Sequence, residues 1–160
     1  VLSELVQKNM EIVGGVKYDE RERKLAAEVA KTFGAGDTIL VHAEKIRPLG
    51  KLVKEGSGGS SDVGDVSWSV PLASFGTATF VPGAPGHSWQ NVAVDGSTIG
   101  TKGLINAAKI FSLTAIDLFN NPSLLKQAKA EFDKVRGADF KYESLLGDRK
   151  PALDYRKASK

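Results

Sequence analysis

Two carboxylates and one histidine carry most of the chemistry this chain can offer. Asp62 and Asp65 fall in a glycine-broken run, Gly59-Ser60-Ser61-Asp62-Val63-Gly64-Asp65-Val66-Ser67-Trp68. His87 falls in a proline- and glycine-rich run, Pro82-Gly83-Ala84-Pro85-Gly86-His87-Ser88-Trp89-Gln90. A neutral imidazole ligates zinc or takes a proton. Carboxylates in a turn can bind a metal, orient a histidine or hold an amine. Plainer roles stand beside these. Asp often just satisfies turn amides, and a loop histidine can simply bond a neighbouring carbonyl. A further candidate is the run Thr98-Ile99-Gly100-Thr101-Lys102-Gly103. Free amides at a helix start there, with Lys102, could attract a carboxylate. The alternative is a glycine-rich entry to a tightly packed helix. His42, in Val41-His42-Ala43-Glu44, matches no metal-ligand spacing and reads as structural or surface.

These residues do not add up to a complete hydrolytic site. Catalytic zinc usually takes three protein ligands and keeps one position open. The chain has 2 histidines and no cysteine. It has no His-x-Asp pair and no adjacent Glu-Glu pair. The missing cysteine also excludes disulfides, thiolate metal sites and cysteine nucleophiles.

The elements that must position these groups follow from periodicity. Leu2, Leu5, Val6, Met10 and Val13 recur at helical spacing and stop at Gly14-Gly15. A second helix opens at Asp19, with Glu22 as its capping-box partner, and ends at Gly34 and Gly36. Thr38–Val41 reads as a short strand. Residues 37–58 then form a flexible connection, rich in Gly and Ser at 56–59. Val66–Val70 alternates as a half-buried strand does. Thr77–Val81 and Val92–Val94 are two more strand candidates. Ser97–Phe119 reads as one long helix, apolar around most of its circumference and so buried on more than one side. Its small residues Gly100, Gly103 and Ala107 would let it approach a sheet closely. Asn121-Pro122 starts a last helix that Gly137 closes. The expected fold class is α/β, with helices packed on a small sheet. His87 would then face a polar cleft at a strand end, near Asp62 or the start of the long helix.

Composition narrows the function classes. A length of 160 residues suits one domain, and 41% hydrophobic with 26% charged residues is ordinary for a globular protein. The net charge is +3, and its basic residues are scattered apart from a mild tail of Arg149, Lys150, Arg156, Lys157 and Lys160. That tail reads as a solvated terminus, so no nucleic-acid partner is expected. No apolar run reaches the roughly 18 residues that span a bilayer, and no signal-peptide pattern is present. No membrane partner is expected, and the expected location is cytoplasmic. The phosphate-loop pattern of a nucleotide-binding domain is missing. The chain opens at Val1 inside a helical pattern, which reads as a fragment or a processed chain.

Three runs in order resemble one known family. They are Gly59 to Trp68, then Pro85-Gly86-His87-Ser88-Trp89-Gln90, then Ile99-Gly100-Thr101-Lys102-Gly103-Leu104 leading into Ala107-Ala108-Lys109. Together they resemble the aminobenzoyl-glutamate utilisation B-type amidohydrolases of the M20 metallopeptidase family. The resemblance covers about residues 1–136, including the Asn121 helix start, and leaves 137–160 as a tail. It implies the C-terminal segment of a catalytic domain whose first segment carries a His-x-Asp motif and a glutamate pair. In such enzymes a smaller lid or dimerisation domain interrupts the catalytic domain. The resemblance makes His87 the late metal ligand, with no catalytic residue in this chain. It places Asp62, Asp65, Lys102 and Gly103 in the substrate-binding or ligand-supporting wall. It implies a divalent metal, zinc or manganese, in the complete enzyme, with none held tightly by this chain alone. The implied reaction is hydrolysis of an acyl- or aroyl-amino-acid amide. The implied partners are the remaining N-terminal part, a small amide substrate, and a second copy of the complete enzyme. Family members often carry histidine where this chain has Thr101, a departure that bears on specificity. The competing reading is a non-catalytic α/β binding domain that kept the scaffold.

Overall fold

The computed structural model describes residues 1–35, 40–50 and 61–153. In chain order the helices are α1 (Leu2–Val13), α2 (Glu20–Lys31), α3 (Leu40–Ala43), α4 (Val63–Ser69), α5 (Trp89–Asp95), α6 (Thr98–Asn120) and α7 (Pro122–Arg136). No strand occurs among the described residues. The expected α/β fold with a small sheet is therefore corrected to an all-helical one.

The helices that carry clear end signals form where their residues place them. Gly14 takes φ 78° at the end of α1 and donates its N–H to Met10. Asp19 and Glu22 close a full capping box on α2, with Glu22 N–H donating to Asp19 Oδ1 at 2.9 Å and Asp19 N–H to Glu22 Oε2 at 2.8 Å. Helix α2 stops at Lys31, before the predicted Gly34. Ser97 caps α6 and Asn121 caps α7, each accepting a backbone N–H two residues on.

The strand expectations fail for local reasons. Val66–Val70 overlaps α4, where Ser67 Oγ donates to Gly64 O and Ser69 Oγ to Asp65 O. Such back-bonding satisfies a short helical turn and needs no neighbouring strand. Val92–Val94 lies inside α5, which the Ser88 side chain caps. Thr77–Val81 is irregular. Its polar groups bond to helices and their flanks, with Thr77 Oγ1 donating to Gly103 O and Tyr18 Oη donating to Ala78 O. A β-ladder requires a partner's backbone instead. Of Thr38–Val41, residues 38 and 39 lie outside the described residues, while Leu40 begins α3. Gly36, residue 37 and residues 51–60, which include the 51–58 part of the predicted connection and its Gly/Ser run, also lie outside them.

The core gathers Val16, Tyr18, Ala26, Val29, Ala30, Leu40, Val81, Val94 and Ile99. Leu40 thus packs inside a stretch expected to be a connection. Helix α1 lies against α6. The buried Asn9 fixes the pair, its Nδ2 donating to Thr114 Oγ1 at 3.1 Å and Asp117 Oδ2 at 3.0 Å. A buried amide that finds two acceptors ties two helices in one register.

Candidate functional site

His87 sits on the loop between Val81 and α5. A turn in which Ala84 N–H donates to Val81 O opens this loop. Asn91 Nδ2 then holds Pro85 O at 3.0 Å. His87 follows, immediately before the Ser88 cap. Its φ is 53°, the one left-handed non-glycine backbone among the described residues. Histidine tolerates that region better than most residues, but such a conformation persists only where its surroundings impose it. The side chain is exposed and bonds to no described residue. The expected cleft at a strand end is corrected, because there is no sheet edge for it among the described residues.

Asp62 and Asp65 belong to the start of α4. Asp62 stands at the N-cap position of α4 without a side-chain capping bond, and Asp65 is in the first turn. Helix α4 leans on the segment after α7, where Trp68 stacks on Phe140 with ring centroids 4.7 Å apart. Partial desolvation and the nearby Asp65 carboxylate raise the Tyr142 hydroxyl pKa above its usual value. Among the described residues, no three His, Asp or Glu side chains gather where they could hold a metal ion. The described residues therefore do not fit a complete metal centre.

Lys102 does attract a carboxylate, the chain's own. Its Nζ donates to Glu22 Oε2 at 2.6 Å and to Lys17 O at 3.0 Å. Glu22 is buried, and Lys102 is partly exposed. Burial pushes the Glu22 carboxyl up. The Lys102 ammonium, Thr98 and the Asp19 amide outweigh that and hold it below the usual glutamate range. Tyr18 lies close by. Burial first, then the Glu22 and Glu44 carboxylates, push its hydroxyl up to about 12. Gly103 has a packing role. A Cβ there would overlap the Ala78 carbonyl and the Thr79 side chain. Thr101 is exposed, its hydroxyl bonded back to Ser97 O.

Sequence reasoning did not find a large cavity of about 860 Å³. It opens between α1 and the 74–80 segment, and His42, Arg47, Phe75, Phe80 and Asn106 are among its walls. No spacing in the sequence marks it, since its walls come from four separate stretches. His87, Asp62 and Asp65 do not line it.

The class of the chain comes from its sequence likeness. It is related to a hydrolase, as the three motif runs had indicated. The relative is one of the subunits of the p-aminobenzoyl-glutamate hydrolase of Escherichia coli (strain K12), 35% identical over 115 residues. The match takes in 72% of this chain and 20% of that protein. The chain thus spans only a small part of its relative's length. No protein-family model matches it. No solved structure matches it either. No helix among the described residues is long and apolar enough to cross a membrane.

Proposed function

We propose that this chain is the C-terminal segment of a metal-dependent amidohydrolase and is catalytically incomplete alone. The complete enzyme would cleave an acyl- or aroyl-amino-acid amide of the aminobenzoyl-glutamate kind. The observation that carries this reading is the 35% identity over 115 residues to a hydrolase subunit bearing that substrate in its name. Residues 1–136 would form the segment proper and 137–160 its tail. The partners are the remaining N-terminal part of the enzyme, a small amide substrate and, for the complete enzyme, a second copy. The proposed location is the cytoplasm.

In this reading His87 is the ligand this chain contributes to zinc or manganese. A bound metal of that kind polarises an amide carbonyl and lowers the pKa of its water. The chain's own part is to present one imidazole outward from a loop fixed at Val81, Pro85 and Ser88. Asp62 and Asp65 would support the ligands or the substrate. Lys102 and Gly103 would support the wall indirectly, through Glu22 and the 77–79 backbone. That no three His, Asp or Glu side chains gather among the described residues favours, as a second reading, a non-catalytic domain that kept the scaffold.

Zinc calorimetry and an amide-hydrolysis assay on the purified chain test the proposal. One histidine falls short of the three or four ligands that hold zinc tightly. Weak or no zinc binding and no turnover of p-aminobenzoyl-glutamate are expected. The polypeptide that includes the upstream part should hydrolyse the same amide. Metal-dependent turnover by the chain alone, or tight stoichiometric zinc binding that His87→Ala abolishes, would overturn the incomplete-segment reading. An upstream part without His-x-Asp and Glu-Glu, and without turnover, would favour the second reading.

A further inference from the structure

Helix α6 has two apolar faces, and the described chain covers only one of them. Ile99, Gly103 and Ile110 point inward and are buried. On the opposite side Leu104, Phe111 and Phe119 are 64%, 69% and 85% exposed. Ala108 and Ala115 fall between them at helical spacing, so the five residues share one stripe. The stripe runs about 22 Å along the helix, at 1.5 Å per residue. It carries no charge. The charged residues of α6 are Lys102, Lys109 and Asp117. Of these, Lys102 is committed to Glu22 and Asp117 to Asn9 on the inner side.

We propose that this outward face of α6 is the surface on which the remainder of the hydrolase polypeptide packs. The inference rests on the reading of the chain as a segment of a longer enzyme. Two observations select that occupant. The chain spans 20% of its hydrolase relative, so a protein of that kind holds a folded body several times its size. The stripe is also broad. Ile105 and Ile116, both exposed, widen it well past the narrow seam that pairs two helices. A wide, uncharged face suits the core of a folded body. A patch of this kind rarely stays open on a monomer in water.

Cysteine accessibility tests this cleanly, because the chain has no cysteine of its own. Phe111→Cys and Phe119→Cys are made in the 160-residue chain and in the longer polypeptide its gene encodes. Labelling by a water-soluble maleimide is followed peptide by peptide. Lys126→Cys, on an exposed position of α7, is the control. Positions 111 and 119 should label freely in the chain alone and more than about tenfold slower in the longer polypeptide, as buried sites do. The control should label alike in both. Equal labelling in a longer polypeptide that hydrolyses the amide would overturn the interface and leave the hydrolase reading standing. Protection in the chain alone that is lost on dilution would overturn it in favour of a second copy. A gene that encodes no upstream polypeptide would overturn both readings together.

Discussion

Glu22 is a buried carboxylate whose charged partner is Lys102, 2.6 Å away, beside the Asp19 N–H at 2.8 Å. Its other oxygen, Oε1, has no hydrogen-bond partner among the described residues. The carboxyl's pKa is lower folded than unfolded. The pair's stabilisation is therefore full above the unfolded pKa and drains away as pH falls through the folded one. Lys102→Met should cost about 2 kcal/mol at neutral pH, because it strands a desolvated charge. The loss should shrink on acidification below the ordinary glutamate pKa of about 4.3. Urea unfolding of both proteins at neutral and acid pH checks this, and equal stability at neutral pH would contradict it. His87 behaves in the opposite way. With φ at 53° and an exposed ring, it adds little to the fold. His87→Gly should leave stability within about 1 kcal/mol of the parent, since glycine takes that backbone without strain. A large loss in thermal melting would show that the ring has a packing role.

Gly103 shows what holds the irregular 74–80 stretch against α6. Its missing side chain lets the Ala78 backbone lie directly on the helix, and Thr77 bonds to its carbonyl. Gly103→Ala should cost about 2 kcal/mol, as overpacking usually does. Gly64 in α4 has open space around it. Gly64→Ala should instead gain about 0.5 kcal/mol of helix propensity. Thermal melts of both variants separate the two cases, and a neutral Gly103→Ala would deny the close approach. The same contrast explains which elements were legible. Helices α1, α2, α6 and α7 carry their own end signals in Gly14, Asp19 with Glu22, Ser97, Asn121-Pro122 and Gly137. The runs read as strands are only three to five residues long, too short for periodicity alone to choose between helix and strand. Whether such a run pairs as a strand depends on a neighbour, and the described chain offers none. The cavity that includes His42 was invisible for a related reason, because only packing brings its walls together.

Seen whole, the described chain is helical, with Asp62, Asp65 and His87 exposed and Lys102 turned to the buried Glu22. The two carboxylates of α4, the histidine before α5 and the lysine of α6 were legible as residue types. Their assembly into a site was not, because no three potential ligands converge among the described residues. The apolar circumference of α6 fits the same account. The sequence predicts burial on more than one side, yet Phe111 and Phe119 face solvent. Both facts have one explanation if the catalytic centre and the second half of the core are completed by the rest of the enzyme. The rate of p-aminobenzoyl-glutamate hydrolysis by the longer polypeptide, measured with saturating zinc or manganese, tests this most directly when His87 is replaced. His87→Gly should lower the rate by at least about a hundredfold, as loss of a metal ligand does, with the fold intact. His42→Ala should leave it within about threefold, since His42 is not placed at the metal in this account. Full activity in the His87→Gly enzyme would contradict the account.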